Sequence, residues 1–243
     1  MDLDIIYNED CFEGIAKLPD KSIDLVITDP PYWHKKTMYI LKQYETDSTF
    51  GKSELYRYDK DMMGNMSTFD DKCIDRFLNV LLPKMKIMNA YIFCSESQVP
   101  SYCMWAENNG LKFAILIWEK PLSIIAKNRY SQNLEFIVRI YDYGTALNNL
   151  PYNDYYSRVK KNVPVGGNDK LHPTQKPVDL IQEFIRLNSK EGDVVLDAFM
   201  GSGTTAIACI REHRRYIGYE LSEEYFDTAV KRIDAEQRQL TLF

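Results

Sequence analysis

Short apolar strand runs alternate with helical periods along most of this chain, and no other feature narrows its possible folds as much. Residues 4–7 read as a strand, 11–18 as a helix, and 23–28 as a buried strand stopped by Pro30 and Pro31. Residues 71–85 read as a helix that Pro83 ends or kinks near Leu82. A strand at 90–94, a helix at 98–108 and strands at 112–118 and 134–141 follow. The last third is the most regular: helix 178–188, strand 194–197, helix 204–211, strand 215–220 and helix 223–239. Strands interleaved with helices predict a mainly parallel sheet covered on both faces, with ligands beyond the carboxyl ends of its strands. Two stretches break the rhythm. Residues 33–69 show no sustained period and are too long for an ordinary connector, and 142–171 are broken by Pro151, Pro164 and Gly166-Gly167.

Composition removes several other classes. With 243 residues, 45% apolar and 27% charged, the chain is neither disordered, collagen-like nor a coiled coil. Its apolar runs are far short of a membrane span, and the start Met1-Asp2-Leu3-Asp4 does not resemble a signal peptide, so a cytoplasmic protein is expected. Five cysteines without a Cys-x-x-Cys pair favour free thiols over a disulfide framework, and three scattered histidines make a structural zinc site unexpected. The net charge of −5 does not advertise nucleic-acid binding, but it is uneven. Residues 1–32 carry −6, whereas 33–60 carry +2 and 119–171 carry +3. These mildly basic segments are compatible with a polyanion.

Two turns carry chemistry. Val194-Val195-Leu196-Asp197-Ala198-Phe199-Met200-Gly201-Ser202-Gly203-Thr204-Thr205-Ala206 is a strand, a glycine turn and a helix start. Gly201 and Gly203 let the backbone approach a ligand, and Glu220, 19 residues on, ends the next strand where an acid binds ribose hydroxyls. A plain tight turn has the same glycine pattern. In this strand context, with Glu220, the pattern favours a nucleoside-bearing cofactor, either a dinucleotide or S-adenosylmethionine. This glycine turn carries no Gly-Lys-Ser/Thr, and Gly51-Lys52-Ser53 has Thr46 where a P-loop needs its first glycine, which excludes a P-loop triphosphatase.

The second turn is Thr28-Asp29-Pro30-Pro31-Tyr32, at the end of a hydrophobic strand. Two prolines fix φ and hold Asp29 and the Pro30 carbonyl as neighbouring acceptors. Such a pair suits an exocyclic amine with two N–H donors, and accepting both hydrogens biases the nitrogen toward sp³. Tyr32 is placed to stack on the ring bearing that amine. A strand-terminating turn with a capping Asp and a core Tyr has the same sequence. A nicotinamide-dependent dehydrogenase has no use for this element, so the two turns together read as amino-group methylation.

These residues resemble the DNA amino-methyltransferases of adenine N6 or cytosine N4, in the β-type order that places the catalytic motif before the glycine motif. The resemblance rests on Asn8-Glu9-Asp10-Cys11, on Leu18 through Tyr32, on Ile117-Trp118-Glu119-Lys120-Pro121 and on Asn133-Leu134-Glu135-Phe136-Ile137. It rests further on His172-Pro173-Thr174-Gln175-Lys176-Pro177 and the glycine turn. It implies a Rossmann-like, S-adenosylmethionine-dependent methyltransferase fold with a mostly parallel seven-stranded sheet and helices on both faces. One catalytic domain spans 1–243, with insertions at 33–69 and 142–171. Asp29, Pro30, Pro31 and Tyr32 are the implied catalytic residues. Implied cofactor contacts are Asp10 and Cys11 at the adenine, Glu220 at the ribose, and Asp29, Asp197, Phe199, Gly201, Ser202, Gly203 and Thr204 around the methionine moiety. His172, Thr174 and Lys176 would reach its carboxylate.

The leading Asp favours adenine over cytosine, with RNA as a further alternative substrate. The region between the middle motifs and His172 is short for the family. Lys35, Lys36, Arg158, Lys160 and Lys161 are the expected contacts to DNA, double- or single-stranded. The resemblance also suggests a homodimer and a restriction-modification context.

Overall fold

A computed structural model describes residues 1–32, 69–121, 130–131, 133–151, 153–167 and 175–240. Expectations for Lys35, Lys36, His172, Thr174 and the rest of segment 33–68 lie outside the described residues. The elements are β1 (Ile5–Tyr7), α1 (Cys11–Lys17), β2 (Leu25–Thr28), α2 (Asp71–Leu81), β3 (Asn89–Cys94), α3 (Val99–Asn108) and β4 (Lys112–Glu119). They continue with β5 (Leu134–Tyr141), β6 (Val159–Lys160), α4 (Val178–Asn188), β7 (Val194–Asp197), α5 (Thr204–Arg211), β8 (Arg215–Tyr219) and α6 (Glu223–Leu240). The expected break near Leu82 is a short 3-10 turn, Leu82–Lys84, where Pro83 cannot continue the helical ladder. Among the described residues no helix is long and apolar enough to cross a membrane.

One eight-stranded sheet runs β1-β8-β7-β2-β3-β5-β4-β6. Pairings are parallel except for β5, which is antiparallel to both β3 and β4. The sheet thus has one strand more than the seven expected. The extra one, β6, is a two-residue edge strand within the segment expected to be irregular.

Alternate strand residues face opposite cores, as the two-residue strand period requires. Val26, Ala90, Ile92 and Leu196 pack with Ile15 of α1, Phe77 of α2 and Tyr102 of α3. Leu25, Ile27, Tyr91, Phe93 and Val195 pack with Phe184 of α4, Ile207 of α5 and Ile233 of α6. Helices therefore cover both faces. Close approach is written into Gly14 of α1, where a Cβ would lie 2.1 Å from the Tyr219 ring.

Because β2, β3, β7 and β8 run parallel, their carboxyl ends share one edge. Antiparallel β5 begins at that same edge, with Phe136 opposite Cys94 at the end of β3. Residues at the start of β5 consequently stand beside the turns that leave β2 and β7.

Candidate active site

Strands β2 and β7 are hydrogen-bonded neighbours, with Leu25 opposite Val195 and Val26 opposite Leu196. The two turns singled out in the sequence leave the sheet side by side. Buried side chains tie them together. Thr28 Oγ1 donates to Asp197 Oδ1 at 2.8 Å and accepts from the Ala198 N–H at 3.1 Å. Asp197 also accepts from the Phe199 N–H at 3.1 Å and from Thr205 Oγ1 at 2.6 Å. Burial pushes its carboxyl up to about 6 against these donors. Asp197, expected at the cofactor, has its oxygens engaged in joining β2, the glycine turn and α5.

The glycine turn is shaped by left-handed backbone at Gly201 (φ 53°) and Gly203 (φ 82°), which side chains rarely tolerate. Gly203 also lies against α6, since a Cβ there would come within 3.2 Å of Ala229 Cβ. Glu220, just past β8, accepts the Gly201 N–H at 2.7 Å and the Ser222 N–H at 2.9 Å, and burial raises its pKa. This places a carboxylate against the turn. Arg232 of α6, absent from the expected set, donates to Ser202 O at 3.0 Å, Ser202 Oγ at 3.3 Å and Thr204 Oγ1 at 3.1 Å. Ser202 and Thr204 are thereby held from the helix side. The Phe199 ring meets Phe69 and Phe77 at centroid distances of 5.4 and 5.9 Å.

Asp10 and Cys11 stand at the start of α1. Asp10 Oδ1 caps that helix, accepting from Phe12 N at 2.8 Å and Glu13 N at 3.3 Å. Cys11 is buried, and desolvation with Asp10 nearby pushes its thiol up to about 12, so it is a neutral, small apolar group.

The Asp-Pro-Pro-Tyr turn is anchored from three directions. Gln98, almost fully buried, donates through Nε2 to Pro31 O at 3.3 Å and Phe69 O at 2.9 Å. Its Oε1 accepts from Ser95 N at 3.0 Å and Ser95 Oγ at 2.9 Å. Asp29 Oδ2 is ion-paired with Lys176, which also pairs with Glu135 Oε2 at 3.2 Å. The Tyr32 hydroxyl donates to Glu135 Oε2 at 3.2 Å, and Glu135 Oε1 is ion-paired with Lys120. Lys176 lies 5.0 Å from the Phe93 ring centroid and 5.6 Å from that of Tyr32.

Charge in this cluster is unequally distributed. Burial raises Asp29, whose nearest cation, Lys176, is offset by the like charge of Glu135. Burial works the same way on Glu135, but Lys176 and Lys120 outweigh it and hold this carboxyl below its ordinary value. For Lys176 burial opposes the charge, and Asp29 and Glu135 overcome it, so the ammonium is retained. Tyr32 is raised well above its usual range by burial and then by Asp29 and Glu135, which keeps its proton on oxygen. Among the described residues, Asp29 Oδ1 is buried without a hydrogen-bond partner. Chemically, this is a carboxylate with one oxygen held by Lys176 and the other retaining its capacity to accept an N–H.

Lys176 was expected at a cofactor carboxylate; here its ammonium bridges Asp29 and Glu135. Glu135, Lys120, Gln98, Thr28 and Arg232 were not singled out individually. Glu135 had a signal: an acid one residue into a strand whose only other charged residue is Arg139, 15 residues beyond a lysine.

The expected DNA contacts divide. Arg158 and Lys161 are exposed, the latter 3.8 Å from Glu119. Lys160 is corrected: it is 2% exposed, and its Nζ donates to Tyr155 O at 2.8 Å and Glu183 Oε2 at 2.9 Å. Pairing of β6 with β4 turns Lys160 inward and Val159 outward, the reverse of what side-chain polarity suggests.

Comparison with known proteins agrees with this geometry. A family model described as DNA methylase matches residues 23–231. The Type II methyltransferase M2.DpnII of Streptococcus pneumoniae is 28% identical over 255 residues, covering 96% of this chain and 90% of that protein. M.HpaI of Haemophilus parainfluenzae is 29% identical over 248 residues, covering 92% and 72%. Among solved structures, the M1.HpyAVI–SAM complex aligns with a TM-score of 0.66 and 28% identity over 94% of this chain and 98% of the other. The cytosine-N4-specific PvuII DNA methyltransferase aligns with a TM-score of 0.68 at 18% identity, over 96% and 91%, a likeness of fold alone.

Proposed function

Because this chain belongs to the DNA methylase family, we propose that it transfers the methyl group of S-adenosylmethionine to the N6 amino group of adenine in DNA. The observation that carries this reading is Asp29 Oδ1, buried and without a hydrogen-bond partner among the described residues, at the head of the Asp-Pro-Pro-Tyr turn beside the glycine turn on the neighbouring strand. The residues present suit S-adenosylmethionine. Glu220 supplies a carboxylate against the Gly201 backbone of the turn, and Phe199 adds an apolar wall.

S-adenosylmethionine supplies a methyl group already electrophilic on its sulfonium sulfur, so no covalent enzyme intermediate is required. The protein's task is positioning and electrostatics. Asp29 Oδ1 and the Pro30 carbonyl accept the two amine hydrogens and bias the nitrogen lone pair outward. Tyr32 stacks on the base, which must leave the duplex at a cost of a few kcal/mol. An Asp29 carboxyl with raised proton affinity suits it to take up the amine proton at Oδ1. The carboxylate at the head of the turn favours adenine N6 over cytosine N4.

The direct test is transfer of labelled methyl from S-adenosylmethionine to unmethylated DNA by the purified chain. Asp29→Ala is expected to lower the rate at least about 1000-fold, since it removes an acceptor at the reacting amine. A rate within tenfold of wild type contradicts the role given to Asp29.

A further inference from the structure

We infer that Glu135 is the positioning residue of this site, a single carboxylate that fixes both the acceptor Asp29, through Lys176, and the stacking ring of Tyr32. The inference rests on the proposed role of Asp29 and Tyr32 and extends it to a strand outside both turns.

Glu135 reaches the site because β5 is antiparallel. Its first residues stand at the edge where β2, β3 and β7 end. One oxygen, Oε2, receives both Lys176 Nζ and Tyr32 Oη at 3.2 Å. The other, Oε1, is taken by Lys120, just beyond the pair formed by Glu119 and Leu134. Lys176 in turn holds Asp29 by Oδ2, and Oδ1 has no hydrogen-bond partner among the described residues. Holding one oxygen of a carboxylate restricts the swing of the second, which favours an acceptor aimed at a particular N–H.

The aromatic rings of Phe93 and Tyr32 flank the same ammonium and limit its alternatives. Side-chain exposures of 7% for Lys176 and 17% for Glu135 mean that water competes little for these bonds. The cluster balances in charge, with Asp29 and Glu135 against Lys176 and Lys120. Loss of Glu135 therefore leaves an excess cation beside Asp29.

That imbalance gives the relay a signature of its own. The groups acting on Asp29 are Lys176 before α4, Glu135 on β5 and Tyr32 on its own turn. Cys94 of β3, Tyr102 of α3 and Asp197 of β7 each feel its charge. Among these, Glu135 is a like charge that raises Asp29. Its neutralisation lowers the proton affinity of Asp29 and moves the acidic limb of the rate profile to lower pH.

The experiment compares the full chain as wild type and Glu135→Gln. It reads single-turnover methyl transfer from S-adenosylmethionine to DNA of a methylation-free host, S-adenosylmethionine affinity by calorimetry, and Tm. Glu135→Gln is expected to slow transfer about 30- to 100-fold, with cofactor Kd within about threefold and the acidic limb shifted down in pH. A rate within about threefold of wild type overturns the inference. A rate loss matched by weaker cofactor binding or a collapsed Tm, with the acidic limb unmoved, shows a merely structural role and also overturns it. If Glu135→Gln does not fold, Lys120→Gln decides, at a side chain 30% exposed. Slowing of more than about threefold at unchanged cofactor affinity supports the relay, and an unchanged rate overturns it. A wild-type chain that transfers nothing refutes the methyltransferase reading and the relay with it.

Discussion

At the scale of single residues, Asp197 is a buried carboxylate whose raised pKa of about 6 affects stability. Its unfolded value is the ordinary 3.8, so the folded chain binds the proton more tightly. The protonated form's advantage is present in full below about pH 4 and is lost as pH rises to about 6, a change on the order of 2–3 kcal/mol. Asp197→Asn is expected to flatten this part of the stability profile relative to wild type, measured as urea midpoints at successive pH values. Asp197→Ala strands the Thr28 and Thr205 hydroxyls and the Phe199 N–H, and is expected to cost about 2–4 kcal/mol below about pH 4, where the wild-type carboxyl is protonated. Sequence alone placed this aspartate at the end of a strand but not its partners. Thr28 is 169 residues away, and only the pairing of β2 with β7 brings it within 2.8 Å.

At the scale of elements, α1 depends on how closely it approaches β8. Gly14→Ala places a methyl 2.1 Å from a Tyr219 ring that stacks on Tyr7 at 5.7 Å, so the helix or the ring must move. Overpacking of this kind is expected to cost about 1–3 kcal/mol, read as a lowered Tm. Asp10, proposed at the cofactor adenine, opens α1, so on that proposal a displaced helix is expected to weaken S-adenosylmethionine binding, which calorimetry checks. Strand and helix positions were largely legible, since period and Gly/Pro punctuation are local properties. Leu134–Tyr141 and Val178–Asn188 lie where the pattern predicts. Strand direction was not legible, because an apolar run reads alike in both senses. Yet no helix was expected between the strands at 112–118 and 134–141, and parallel neighbours need such a crossover. That missing helix was the available clue to antiparallel β5, and hence to Glu135.

At the scale of the whole molecule, a chain of net charge −5 must meet DNA through local basic surface. Exposed Arg158 and Lys161 suit phosphate contacts, whereas Lys160 is held inside by Glu183. Lys161→Ala is expected to weaken DNA binding severalfold and lower its salt dependence by about one ion, with Tm unchanged. Lys160→Ala should do the opposite, leaving Glu183 without its cation and costing about 2–4 kcal/mol of stability. Salt-dependent binding titrations and melting curves on the two variants separate these effects. The central claim, amino-group methylation of adenine in DNA at the Asp29 turn, is tested most directly by nucleoside mass spectrometry. DNA and RNA are taken from a methylation-free host expressing either the wild-type chain or Asp29→Ala. The account predicts N6-methyladenine in DNA that disappears with Asp29→Ala. N4-methylcytosine instead would contradict the assignment to adenine, and a mark confined to RNA, or none in DNA, would contradict the account itself.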